Sequence, residues 1–302
     1  MGISLYLRQR LPARYRMILR ERMLLAVSTT LLLGAGPVSA EPSVDAAHVE
    51  QLLGEGRYQE AYDAAAPGGQ ADAETLETTA RAVLRLGMAS DDSFLRWFSL
   101  RAARTLNDPE LAAAARPLVD ANDRYVQSLS LEFLAETDLA GNRDVFVRAL
   151  DSPFRTVRIR ALRALEKLKD PTLVTRLGTV LTGDSDAELR AMAARALGAT
   201  GSKQAIPVLS LALDDASPVV QEEAVRSLVV LHDQRVVRIL KKRLAEAPPK
   251  ERTKVVRLAA LVPDASLIPS LGPLLADGDP EVRAFTASAI LSIRRRASGK
   301  AD

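Results

Sequence analysis

Two histidines are the only side chains in this 302-residue sequence whose ordinary ionisation falls near neutral pH, and there is no cysteine. A thiol nucleophile, a disulfide and a Cys-ligated metal are therefore excluded. His48 has Gln51 and Leu52 at the next helical turn, not a carboxylate or a second histidine. His232 precedes Asp233, a pair that could orient an imidazole for base catalysis. The pair falls in an inter-helix turn, in the slot that Gly201 fills one unit earlier, where such pairs are ordinarily solvated. A Ser-His-Asp site would also need a nucleophile turn, and no G-x-S-x-G is present. Gly-rich phosphate loops, EF-hand spacing and paired carboxylates do not stand out. The expectation is a chain that is not an enzyme and has no cofactor and no metal site.

Basic residues recur instead. Arg158, Arg190, Lys254 and Arg283 fall at one position of a repeating unit, and Asp186 and Asp279 sit four residues before Arg190 and Arg283. One use is a ladder in which each cation bonds to the turn of a neighbouring unit. The other is a row aimed at an anionic ligand. Phe94, Trp97 and Phe98 share a helix face at i, i+3 and i+4, suited to core packing or to an exposed peptide anchor.

The elements that position these residues follow from one stretch, Asp184 to Leu228. Leu189, Ala193 and Leu197 recur there as Val220, Ala224 and Leu228, 31 residues later. The same triplet reads as Phe98/Ala102/Leu106, Val126/Ser130/Leu134, Val157/Ala161/Leu165, Thr253/Arg257/Leu261 and Val282/Thr286/Ile290. Its leading positions lie 28, 31, 32, 31, 33 and 29 residues apart. A sustained period of this length is the signature of a solenoid. First helices are expected near 74–88, 109–120, 143–150, 171–182, 203–213, 234–246 and 264–275. Second helices are expected near 92–106, 123–136, 154–168, 186–198, 217–230, 250–261 and 280–294. Asp170-Pro171, Asp279-Pro280 and Ser217-Pro218 read as N-caps followed by proline at the first helical position. Aromatic residues are only 4% of the chain, so Ala and Leu must carry the burial, which suits closely packed helices.

AIPVLSLALDDASPVVQEEAVRSL and SLIPSLGPLLADGDPEVRAFTASAI resemble HEAT repeats, more particularly the short kind also found in phycobilisome lyases. The resemblance covers about residues 143–293 and fades toward 74. It departs at Arg257, which takes the small-residue slot, and at the short first helix near 143–150. LLGEGRYQEAYDAA, with Val49, Leu52 and Leu53 on one helix and Tyr58, Ala61, Tyr62 and Ala65 on the next, looks like the middle of a tetratricopeptide repeat. The resemblance implies an all-α, right-handed α-solenoid of stacked antiparallel helical hairpins, with the second helices lining a concave face. Deoxyhypusine hydroxylases bind iron through His-Glu pairs on such hairpins. This sequence has no His-Glu pair, and that activity is rejected.

Residues 1–40 carry six Arg, then the apolar run from Met23, then small residues ending at Ala40. This is the order of a secretory signal cleaved between Ala40 and Glu41, with Met1 or Met17 as the start. The leader accounts for six Arg and one Glu, +5, so the remainder is +3 − 5 = −2, and the excess charge does not argue for nucleic acid. Residues 41–92 hold eleven acids and three Arg, −8, which leaves 93–302 at +6. The organisation read from these features is a signal peptide (1–40), a tetratricopeptide-like hairpin and linker (41–73), divergent HEAT-like hairpins (74–142), a HEAT-like array (143–296) and a disordered tail (297–302). The function expected is an exported, periplasmic or secreted, non-enzymatic scaffold that binds a protein or peptide on its concave surface. The alternative partner is an anionic envelope component, a cell-wall polymer or lipid headgroup held by basic second helices. A membrane contact is expected only if the leader stays uncleaved. An export signal also separates the chain from cytosolic phycobilisomes and from bilin lyase chemistry.

Overall fold

The computed structural model describes residues 44–297, all but Val44 within one compact unit, Asp45–Asp302. The expected leader, residues 1–40, and the tail from 298 lie outside the described residues. Ala297, assigned above to the tail, is the last residue of the final helix.

Sixteen α-helices and no strands are found among the described residues, and the helices form eight antiparallel hairpins. These are α1 (Ala46–Gly54) with α2 (Tyr58–Ala65), α3 (Ala73–Ala89) with α4 (Ser93–Ala103), α5 (Pro109–Ala115) with α6 (Arg124–Thr137), and α7 (Arg143–Ala149) with α8 (Arg155–Leu168). They continue with α9 (Val174–Gly183) and α10 (Ala187–Ala199), α11 (Ile206–Leu211) and α12 (Pro218–Val230), α13 (Arg235–Glu246) and α14 (Arg252–Ala260), and α15 (Ile268–Leu271) and α16 (Pro280–Ala297). From α4 to α16 every second helix packs on the one before it, which makes the chain an α-solenoid. None of the described helices is long and apolar enough to cross a membrane.

The helix starts follow from local chemistry. Asp45, Asp72, Asp92, Asp108, Asp123 and Asp186 each accept hydrogen bonds from the first-turn amides that have no intrahelical partner. Asp279 does the same for Glu281 N–H at 2.8 Å. Ser217, expected as a cap, makes no side-chain cap bond. Its own N–H is instead taken by Asp215 Oδ1 at 2.8 Å, because that carboxylate is already held beside the turn.

One continuous core runs from Met88 to Ile293. In α1, Val49, Leu52 and Leu53 are buried, as the stripe predicts. In α2 only Ala61 and Ala65 are buried, while Tyr58 and Tyr62 are exposed. α2 packs on α1 and α3 but is not stacked under α4, so its tyrosine side stays uncovered.

Two of the aligned triplets sit in the wrong register. In α4 the buried residues are Ser99, Leu100 and Ala103, while Phe98 and Leu106 are exposed. In α14 they are Val255, Val256, Leu258 and Ala259, and Arg257 is exposed. The triplets are therefore Leu95/Ser99/Ala103 and Glu251/Val255/Ala259. The leading positions become 95, 126, 157, 189, 220, 251 and 282, spaced 31 or 32 throughout. Arg257 never occupies the small-residue slot, since Val255 does. The leading residues of these two units, Leu95 and Glu251, are exposed; Glu251 is polar, so an apolar pattern could not find it, and beside Leu95 the exposed Phe98 and Leu106 offer a competing apolar triplet.

Candidate interaction surface

The corrected register places Arg96, Gln127, Arg158, Arg190, Gln221, Arg252 and Arg283 at one position, the residue after each leading position. Six of them donate to a backbone carbonyl of their own inter-helix turn, six residues earlier, or five residues earlier for Arg252. Arg158 Nη1 reaches Ser152 O at 3.0 Å, Arg190 Nη1 reaches Asp184 O at 2.9 Å and Arg283 Nη1 reaches Asp277 O at 2.7 Å. Gln127 Nε2 donates to Ala121 O at 2.5 Å and Arg252 Nε to Ala247 O at 3.3 Å. Gln221 Nε2 makes the same kind of bond to Asp215 O. The carbonyls at the end of each turn lack helical partners, and this side chain supplies a donor to each.

Three of these arginines also reach forward to the next repeat. Arg158 Nε bonds Asp184 at 3.1 Å, Arg190 bonds Asp215 through Nε and Nη2 at 2.8 Å each, and Arg252 Nη1 bonds Asp277 at 2.5 Å. Arg190 and Asp215 are only 15% and 13% exposed. The Arg190 guanidinium holds the Asp215 carboxyl below the usual carboxylate range. A second set of bridges runs between first helices and following turns: Arg81 with Asp108 at 2.7 Å, Arg116 with Asp144 at 3.0 Å, and Arg143 with Asp170.

Of the four residues singled out from the sequence, Arg158 and Arg190 thus bond to neighbouring turns. Arg283 bonds only its own turn, through Asp277 O and Gly278 O. Lys254 takes no part, because it lies two residues beyond the position that Arg252 fills; this corrects its placement in the row. Asp186 and Asp279 cap their helices instead of pairing with Arg190 and Arg283, and the partner of Asp186 is Arg155 of the preceding repeat. His232 is exposed with φ 55°, matching φ 68° at Gly201, and Asp233 pairs with Arg235, not with the imidazole. His48 is exposed on α1. No group of acidic or histidine side chains fit to hold a metal occurs among the described residues.

A row that sequence reasoning missed lies five residues further along each second helix. Arg101, Glu132, Arg163, Arg195, Arg226 and Arg257 share that position, and all five arginines are exposed. Arg195 pairs with Glu166 at 2.9 Å, Arg226 with Glu223 at 2.7 Å, and Arg257 with Glu222 at 3.3 Å. Arg101 lies over the Trp97 ring at 5.1 Å and Arg257 over Phe285 at 5.8 Å. The aromatic cluster is on this surface, with Phe98 edge-on to Phe94 at 4.3 Å and to Trp97 at 5.1 Å. Phe98 is 39% exposed, and only Trp97 packs partly against the core, so the cluster is not a core contact throughout. Near the middle, four bases (Arg104, Arg160, Arg163 and Lys167) and three acids (Glu132, Glu136 and Glu166) line a cleft of about 340 Å³. Arg163 and Lys167 have no ion-pair partner among the described residues. The period would have exposed this row once its register was right.

Residues 143–229 and 174–260 match the family model of HEAT repeats. Over these residues the chain is built of HEAT-like repeats. Its fold is similar to that of the YibA protein of Escherichia coli, with 15% identity, TM-score 0.48, and coverage of 85% of this chain and 100% of that one. It is also similar to the CpcE–CpcF complex of phycocyanin lyase from Nostoc sp. PCC7120, with 16% identity, TM-score 0.43, and coverage of 73% and 94%. Human deoxyhypusine hydroxylase is similar with 17% identity, TM-score 0.33, and coverage of 83% and 97%. Among curated proteins none matches the sequence.

Proposed function

We propose that this chain is an exported, non-enzymatic scaffold that binds a protein or peptide along the face made by its second helices. The observation that carries this reading is the recurrence of exposed Arg101, Arg163, Arg195, Arg226 and Arg257 at one repeat position, flanked by the exposed rings of Phe98 and Phe285. Arginine and aromatic side chains are the types enriched at protein interfaces. The second helices stack along the whole array from α4. That stacking supports a reading in which the second helices line the concave face, as solenoid curvature creates an extended concave binding surface. Export rests on residues 1–40, and a Gram-negative periplasm is the destination that order of residues fits.

The test is capture of partners from an envelope extract by the mature chain and by a variant with Arg195, Arg226 and Arg257 changed to Ser. Loss of the captured protein with an unchanged melting temperature supports the reading. Capture of no protein at either low or high salt sinks it. N-terminal sequencing of the exported chain should begin at Glu41, and an intact Met1 or Met17 start would defeat the export reading.

A second reading has one observation in its favour, the unpaired Arg163 and Lys167 in the central cleft. They suit an anionic polymer or headgroup. Such binding would weaken steeply with rising salt, while contacts to apolar rings would not.

A further inference from the structure

One rung of the ladder is left unfilled by the chain itself. Arg190 and Arg252 each place a guanidinium between a carbonyl of their own turn and a carboxylate 25 residues on, Asp215 and Asp277. At Gln127 the same place is closed by a neutral pair, since Ser152 Oγ, also 25 residues on, donates to Gln127 Oε1 at 3.0 Å. At Gln221 the residue 25 on is Glu246. The Gln221 amide oxygen and the Glu246 carboxylate both accept, so Glu246 cannot satisfy Gln221 Oε1 as the Ser152 hydroxyl satisfies Gln127 Oε1.

Gln221 is 1% exposed. Its Nε2 donates to Asp215 O, which fixes the orientation of the amide. Its Oε1 is left buried without a hydrogen-bond partner among the described residues. Buried acceptors of this kind are uncommon because losing water without gaining a donor is unfavourable. The side chain lines a cavity of about 390 Å³ whose other polar walls are Asp214, Arg243, Glu246, Glu251 and Lys254. Arg243 is committed to Leu213 O and Asp214. Glu251 has no ion pair among the described residues, and three acids against two bases leave the cavity with one negative charge.

We infer that this cavity binds a guanidinium group, the arginine side chain of a partner, in the place that the guanidinium groups of Arg190 and Arg252 occupy in neighbouring rungs. One N–H of the ligand donates to Gln221 Oε1 and the remaining fork to Glu246 or Glu251. A guanidinium suits this better than an ammonium because its planar set of donors reaches an amide oxygen and a carboxylate at once. The site lies at the turn-side ends of α12, α13 and α14 and uses none of the residues of the arginine row, so its test is independent of the scaffold reading.

The full chain is titrated with N-acetyl-arginine amide and with the matched citrulline compound, which has the same shape without the charge. Calorimetry reads affinity, and the Gln221 side-chain amide signal in NMR reads location. The arginine compound should shift that signal saturably and bind about tenfold or more tightly than the citrulline compound, the ratio expected for charge-assisted over neutral hydrogen bonds. Gln221→Arg should close the rung from within, raise the melting temperature and abolish binding. Gln221→Leu removes the acceptor without adding a charge and should also abolish binding in a folded chain. Equal binding of the two compounds, no saturable shift, or binding retained by Gln221→Arg overturns the proposal.

Discussion

Asp215 accepts two hydrogen bonds from Arg190, each 2.8 Å long, across the boundary between two repeats. The same carboxylate accepts the N–H of Ser217 at the start of α12. Arg190 in turn donates to Asp184 O and Ser185 O of its own turn. One pair of side chains thus joins two inter-helix turns and orders the entry to a helix.

Removing Arg190 leaves Asp215 enclosed with its main partner gone. Arg190→Gln should therefore lower stability by about 2–4 kcal/mol, the range for breaking a largely buried charged pair. Arg252→Gln should have a smaller effect of the same kind, since Arg252 is 33% exposed. Arg283→Gln and Lys254→Gln should each change stability by less than about 1 kcal/mol, because neither bridges two repeats. Thermal melts of the four variants give the order, and a Lys254 effect as large as that of Arg190 would sink the corrected register.

Much of this was readable from the chain. The Leu, Val and Ala positions between Val157 and Leu228 located the helices because the three triplets there are all apolar and fully buried. The register failed at Glu251, where the leading residue faces solvent and is polar, and at Leu95, where the exposed Phe98 and Leu106 imitate a buried triplet. At Glu251 the chain also enters α14 through a 3₁₀ turn, Pro249–Glu251, which delays the helix. The rung position survives at Arg252, where a hydrogen bond to the turn fixes it, a constraint that admits Arg or Gln alike. An alignment on polar donors would have found it. Which carboxylate each donor meets was not legible, since that depends on how closely adjacent turns stack.

Acid should loosen the array before it affects isolated helices. The Asp215 carboxyl is held low by Arg190, Asp186 by Arg155, Asp108 by Arg81, and Asp277 by the Asp279 N–H. A carboxylate depressed in the folded state contributes stability above its unfolded value of about 4, and that contribution is lost as pH falls through the folded value. The urea midpoint should therefore be level from about pH 7 to about pH 5 and fall below about pH 4. Arg190→Gln should show a shallower acid fall, because Asp215 then titrates nearer its unfolded value. A midpoint unchanged at pH 3 would contradict the ladder as a source of stability.

Two second helices come into close approach at Gly198 of α10 and Ser227 of α12. A Cβ added to Gly198 would lie 2.7 Å from Ser227 Cβ, 2.7 Å from its Oγ and 3.0 Å from its Cα. The last of these is backbone and cannot swing aside. Ser227 Oγ is also fixed, donating to Ala194 O at 2.8 Å across the same interface. Gly198→Ala must push α12 away from α10, opposing the gain in helix propensity of about 1 kcal/mol that Ala normally brings. Overpacking of this kind costs about 1–3 kcal/mol, so the net effect should be destabilising. Gly183→Ala is the control, because its added Cβ meets nothing within 4 Å. A loss of melting temperature in Gly198→Ala with none in Gly183→Ala is expected, and equal behaviour of the two would show that α10 and α12 are not packed this closely in solution.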